Sequence, residues 1–286
     1  MTRSEPAWLD AQYNARASIP EHAEIFTRWS ADSAAARAGT VASLDLRYGD
    51  GPNESLDVFH AAEPGAPVLV FIHGGYWRAL DKREQLFLAP ALVAGGAMVV
   101  LPNYALCPAV SVATIALQLT RALAWVHRNA ADFGGDPQRI VVAGHSAGGH
   151  LAAMMLACRW RDVGADLPPD LVKAALAISG LFDLEPLRRA PFLQPDLRLT
   201  PADVRRLSPA RFAPPARGRL YAVVGGAESE EFQRQNRLIR SAWGESAVPV
   251  CEAVPGFHHL SVLDGLADPR GRLHALARDL LGLGAA

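Results

Sequence analysis

The chain has 286 residues, half of them hydrophobic and a fifth charged, with a formal net charge of −1. That length fits one α/β domain that buries a large core without disulfide staples. The near-neutral charge gives no electrostatic footing for nucleic acid or an anionic membrane surface. In chain order, residues 1–40 read as an amphipathic helical extension, anchored by Trp8, Leu9, Tyr13, Ile25, Phe26 and Trp29 and packed on the main domain over the site. Strand-like runs follow at residues 43–48, 56–60, 68–72 and 98–101. Turn signals at Gly49-Asp50-Gly51-Pro52 and Glu63-Pro64-Gly65 separate the first three, which predicts a meander. Helices are expected over residues 81–94 and 111–131. A strand at 140–142 leads into a further helix. Strands at 174–178, 220–224 and 248–254 alternate with helices at 230–243 and 271–281. That alternation predicts a mostly parallel sheet with helices on both faces. Residues 180–217, rich in Pro and Arg, interrupt the rhythm. They are expected as a small cap insertion above the carboxyl edge of the sheet.

Gly144-His145-Ser146-Ala147-Gly148 reads G-x-S-x-G. It sits between the β-branched run Ile140-Val141-Val142 and the helix-forming stretch from Gly149 to Ala157. Strand, sharp turn and helix make this pentapeptide a nucleophile elbow. The turn strains the serine backbone, so its neighbours must be small. The expectation is a Ser146 oxygen exposed at the carboxyl edge of the sheet.

A serine hydroxyl needs a base, and the base needs an orienting partner. In folds built around this elbow the order is Ser, then Asp or Glu, then His. Beyond the elbow and its helix, where His150 lies, only His258, His259 and His274 follow Ser146. The first two lie just after the last predicted strand, where a loop can carry an imidazole over the elbow, and His259 is the favoured base. His274 falls within the closing helix and reads as a surface residue. Glu228, after Val223-Val224-Gly225-Gly226-Ala227, is the chosen acid. Asp183 stands after another strand end and is its rival. The oxyanion donors are expected to be the backbone N–H groups of Ala147 and of Gly74 and Gly75, in His73-Gly74-Gly75-Tyr76-Trp77 after the strand at 68–72. His73 organises that loop, and Tyr76 and Trp77 are the candidate substrate-binding residues.

Cys107, Cys158 and Cys251 are far apart and show neither a disulfide framework nor metal-ligand spacing. No phosphate loop or dinucleotide fingerprint is present, so no cofactor or metal is expected. The first eight residues lack the apolar core of a signal peptide, and no apolar run reaches the roughly 18 residues of a membrane span. A cytoplasmic location follows as an expectation, with a homodimer left open.

With these residues assembled, the chain resembles the kynurenine formamidase (arylformamidase) branch of the α/β-hydrolases and is similar to neighbouring bacterial carboxylesterases. The resemblance rests on His73-Gly74-Gly75-Tyr76-Trp77, on Gly144 through Leu151, on Gly225 through Phe232 with Gln235, and on Gln12-Tyr13-Asn14 through Ile19-Pro20-Glu21-His22. It implies a single α/β-hydrolase domain, a Ser–acid–His triad, a backbone oxyanion hole at the His-Gly-Gly loop, and hydrolysis of N-formylkynurenine or small esters. The chain departs from the family in carrying Glu228 where Asp is usual and Leu260 where Phe is usual. The alternative is a non-catalytic ligand-binding member of the same fold, of the kind that typically loses a triad residue.

Overall fold

The computed structural model describes residues 5–284; residues 1–4 of the expected helical extension lie outside it. Eight strands form one sheet in the order β1-β2-β4-β3-β5-β6-β7-β8. They are β1 (Ala42–Arg47), β2 (Ser55–Phe59), β3 (Ala66–Ile72), β4 (Met98–Pro102), β5 (Gly135–His145), β6 (Val172–Ile178), β7 (Arg219–Gly225) and β8 (Val250–Val254). The pairs β1/β2 and β2/β4 are antiparallel, and every other pair is parallel.

The expected meander is corrected at its third strand. β1 and β2 form an antiparallel pair, but β4 separates β2 from β3. The reason lies in β3 itself. Every residue from Ala66 to Ile72 is buried, the pattern of a strand covered on both faces and paired along both edges. Its side chains alternate between two cores. Val68, Val70 and Ile72 join one cluster with Leu119, Leu123 and Leu151, while Leu69 and Phe71 join the other with Trp29, Leu92 and Leu276. The period of two thus buries helices against both faces of the sheet.

The helix expected over residues 81–94 is broken into 3₁₀ turns, Lys82–Glu84 and Leu86–Leu88, before a short helix Ala89–Ala94. The ammonium of Lys82 is buried between Asp57 (2.5 Å) and Asp45 (2.7 Å), and this anchors the first turn. The N-terminal segment is two helices, Pro6–Tyr13 and His22–Gly39. No helix among the described residues is long and apolar enough to cross a membrane. The insertion contains short helices Glu185–Arg189, Gln194–Leu197 and Pro201–Leu207.

Because β3, β5, β6, β7 and β8 are parallel, their carboxyl ends share one edge. Ile72 pairs with Gly144, His145 with Ile178, and Gly225 with Val254. The loops that begin there carry the residues singled out from the sequence, and carboxyl ends of strands are where open α/β sheets place ligands.

Candidate active site

Ser146 follows β5 and precedes the helix Ala147–Leu156, with φ 57° and ψ −115°. An L-residue in that region stores about 1–3 kcal/mol of strain. The turn is held by the Ser146 N–H donating to the Ile178 carbonyl at 2.8 Å. Gly148 is required by close approach, since a Cβ there would stand 2.0 Å from the Ile72 carbonyl oxygen. Ser146 retains 2% of its accessible surface. The sequence placed it exposed at an edge; the structure corrects this and places it on the wall of a cavity of about 130 Å³. Asn14, Ala15, Arg16, Phe26 and Trp29 of the N-terminal segment help enclose that cavity.

His259 lines the same cavity. Its Nδ1 lies 2.7 Å from Glu228 Oε2. An ionised carboxylate only accepts, so Nδ1 carries the proton and Nε2 is left bare, the form a general base needs. The ring sits between two others, with centroids 4.6 Å from His145 and 4.4 Å from Phe232. The His145 Nε2–H donates to the His259 carbonyl at 2.8 Å. Burial, and then the neighbouring His259, push the His145 pKa well below the usual histidine value. It is a neutral prop.

The Glu228 carboxylate is fully buried. Its Oε1 accepts from the Ser179 hydroxyl (2.5 Å) and the Gly225 N–H (2.7 Å). Backbone bonds tie its loop to the histidine loop: Gly226 N–H to the Val254 carbonyl (2.7 Å) and Ala227 N–H to the Phe257 carbonyl (2.9 Å). Ser179 escaped the sequence reading. Its signal was positional: it directly follows β6, the neighbour of the strand that carries the acid.

Asp183 is engaged away from the imidazole. Its Oδ1 accepts the Glu185 N–H at 3.2 Å, at the start of a short helix, and its backbone N–H donates to Gln235 Oε1 at 2.9 Å. His258 pairs with Glu21 at 3.1 Å and its Nδ1 accepts the N–H groups of Leu260 and Ser261. His274 is corrected from surface to core: it is 2% exposed and donates to the Leu266 carbonyl at 3.0 Å. It lies on the inner face of its amphipathic helix beside Leu273 and Leu276.

The loop after β3 is unusual in its backbone. Gly75, Tyr76 and Trp77 all have positive φ, at 102°, 51° and 56°. At Gly75 a Cβ would meet the Ala79 carbonyl oxygen at 2.1 Å, so glycine is needed there twice over. His73 organises this loop: its ring stacks on Tyr104 at 4.1 Å and reaches the Gly74 carbonyl and Asn103 Oδ1. Tyr104 donates its hydroxyl to the His73 carbonyl at 2.9 Å. The close packing of Gly74 against the elbow brings this loop beside Ser146, with a Cβ at Gly74 lying 3.3 Å from Ser146 Cβ. Ala147 opens the elbow helix, where the first N–H groups have no intrahelical acceptor. Gly75 and Tyr76 line the cavity. Trp77 does not: it is fully buried, edge-on to His150 at 5.0 Å, so core packing displaces the substrate-binding role expected for it. Tyr76 donates its hydroxyl to the Tyr13 carbonyl and so fastens the loop to the N-terminal segment.

No group of three or more His, Cys, Asp or Glu among the described residues is placed to hold a metal ion. A family model described as BD-FAE matches residues 56–185. The chain is 31% identical over 255 residues to a kynurenine formamidase of Danio rerio, covering 86% of this chain and 84% of that one. It is 33% identical over 267 residues to the esterase LipQ of Mycobacterium tuberculosis, covering 84% of this chain and 62% of LipQ. Among solved structures, a candidate thioesterase from Silicibacter sp. tm1040 superposes with a TM-score of 0.83 at 32% identity, over 93% of this chain and 97% of that one. An esterase from Pyrobaculum calidifontis, at 20% identity and a TM-score of 0.68, shares the fold. The parallel sheet, the elbow and this likeness across most of the chain have one reading: the chain belongs to the esterase and formamidase family of the α/β-hydrolases.

Proposed function

We propose that this protein hydrolyses small carboxylic esters and aryl formamides through an acyl-enzyme on Ser146. His259 Nε2 takes the Ser146 proton as the oxygen attacks the carbonyl carbon. The N–H groups of Gly74, Gly75 and Ala147 hold the oxyanion of the tetrahedral intermediate, each donor typically contributing about 2.7–4 kcal/mol. The imidazolium then protonates the leaving alcohol or amine as its bond to the acyl carbon breaks. Water, deprotonated by the same imidazole, then attacks the acyl carbon, and the imidazolium returns that proton to the Ser146 oxygen as its bond to the acyl carbon breaks and the acid leaves. Glu228 orients the ring and stabilises its charge. No cofactor enters the scheme.

The observation that carries this reading is the 2.7 Å contact between His259 and a buried carboxylate, on a ring that shares a cavity with Ser146. The small volume of that cavity and the Tyr76 wall favour short acyl groups such as formyl and acetyl. A fluorophosphonate probe should label the wild-type protein and not Ser146→Ala, and the variant should lose turnover of p-nitrophenyl acetate. Labelling that survives in Ser146→Ala would remove the proposed nucleophile. Turnover of N-formylkynurenine, set beside the acetate and butyrate esters, sorts formamidase from esterase.

A further inference from the structure

Gln12 and Tyr13 touch two parts of the catalytic apparatus at once, and the catalytic scheme uses neither. Tyr13 closes the helix Pro6–Tyr13 and is fully buried. Its phenol donates to Glu231 Oε2 at 2.7 Å and accepts from Gln235 Nε2 at 2.9 Å. Burial, and then the neighbouring Glu231, push that phenol far above the usual tyrosine range, so it keeps its proton and stays a donor. Glu231 is itself buried, and Arg234 Nη2 pairs with it at 2.8 Å. Gln12 grips the same turn: its carbonyl accepts from the Ser229 hydroxyl at 2.7 Å, and its Oε1 accepts from the Glu231 N–H at 3.2 Å. These contacts fix the start of the helix Glu230–Ala247, which begins two residues after the acid Glu228. Phe232, in the first turn of that helix, lies edge-on to the Tyr13 ring at 5.7 Å and against the His259 ring at 4.4 Å. In the other direction, Tyr13 offers its backbone carbonyl to the Tyr76 hydroxyl. Tyr76 stands in the run of positive φ values at Gly75, Tyr76 and Trp77, a conformation that persists only where its surroundings impose it.

We propose that Tyr13 is a positioning residue that bridges the oxyanion loop, through Tyr76, to the acid–histidine pair, through Glu231 and Phe232, and holds the two at a fixed separation. The inference rests on the hydrolase reading above. A bound ester gains little from having those two parts in register. The transition state needs both together, because the serine proton moves to His259 as charge collects on the oxyanion. A bridge between them therefore acts on kcat and leaves KM nearly alone.

The test is Tyr13→Phe, which keeps the ring and its packing and removes the phenol. Rates on p-nitrophenyl acetate are divided by the sites that a fluorophosphonate labels at completion, so that unfolded protein does not count. On that basis kcat should fall roughly 10-fold, the size of one lost hydrogen bond to a charged group, with KM within about twofold. Phenylboronic acid forms a tetrahedral adduct on a catalytic serine, and its Ki should rise by about the factor that kcat loses. Tyr76→Phe cuts the bridge at its other end and should lower kcat likewise; it decides the matter alone if Tyr13→Phe does not fold. The double variant should lose little more than either single one, because both break one connection. A Tyr13→Phe protein that melts lower but keeps the wild-type kcat and Ki would overturn the proposal and leave the hydrolase standing, and so would losses that multiply in the double variant. A wild-type protein that neither takes the label nor cleaves p-nitrophenyl acetate would overturn both readings.

Discussion

Glu228 and Asp183 are the same chemical group in nearly the same place. Each follows the carboxyl end of a central parallel strand, and each precedes a helix. Their surroundings give them different work. The Glu228 side chain is fully buried and accepts from a hydroxyl, a backbone N–H and an imidazole, all within 2.7 Å. Asp183 is partly exposed, accepts the backbone of Glu185, and lies 3.9 Å from Arg211. The difference teaches that a strand-end carboxylate is made an orienting group by its neighbours, here Ser179 on the adjacent strand end and the histidine loop bonded to its own. The longer side chain of glutamate is accommodated because its Oε1 is anchored back onto Gly225 and Ser179.

Glu228→Gln strikes that contrast hardest. An amide cannot hold the imidazole in the same tautomer with the same charge support, and kcat should fall about 10³- to 10⁴-fold. The same exchange at Asp183, run in parallel, should leave kcat within about threefold. Steady-state rates on p-nitrophenyl acetate decide it, and the opposite ranking would move the acid to Asp183.

The insertion that begins near Asp183 is tied to the elbow helix through His150, whose Nε2–H donates to the Leu207 carbonyl at 2.7 Å. Burial pushes the His150 pKa down to about 4. An unfolded histidine binds its proton near 6.5, so between those values the unfolded chain holds more protons than the folded one. Stability should therefore fall as pH drops through 6.5, with the loss complete near 4 and amounting to about 3 kcal/mol from this residue. His73 and His145, also depressed by burial, act in the same direction. Denaturant melts at pH 7 and 5 check this. His150→Gln should flatten the dependence, and an unchanged slope would show that His150 titrates normally in the fold.

A smaller effect sharpens the account of why Glu228 is different. Ser179→Ala removes one of the two hydrogen bonds on Oε1 and leaves the Gly225 N–H in place. Loss of a hydrogen bond to a charged acceptor at the lower end of its range, about 1.5 kcal/mol, corresponds to roughly a tenfold drop in kcat/KM. Retained activity in Ser179→Ala would assign the anchoring of the carboxylate to Gly225 alone.

Much of this was legible in the residue order. Period-two apolar runs placed the strands, and the elbow motif placed the serine between β5 and its helix. The preference for Glu228 over Asp183 followed from which strand end each residue succeeds, whereas His258 and His259 succeed the same one. Other features were not legible. That β4 lies between β2 and β3 is a matter of which edges pair, and local pattern does not encode pairing partners. Trp77 and His274 read as site and surface residues, yet pack in the core, because burial depends on what other segments bring alongside them. Ser179 lies 49 residues from Glu228 in sequence, and only the parallel pairing of β6 with β7 makes them neighbours.

The sequence by itself determined the chemistry at hand: a strained serine, late histidines, strand-end acids and a glycine loop, each fixed by short-range backbone demands that a few residues express. Tertiary structure decided which acid meets which imidazole, and that the serine is enclosed and not open at an edge. It also selected which residues of the N-terminal extension, Asn14, Ala15, Arg16, Phe26 and Trp29, wall the cavity. Those outcomes depend on contacts between segments far apart in the chain, and such contacts are set by the packing of the whole sheet and its two cores.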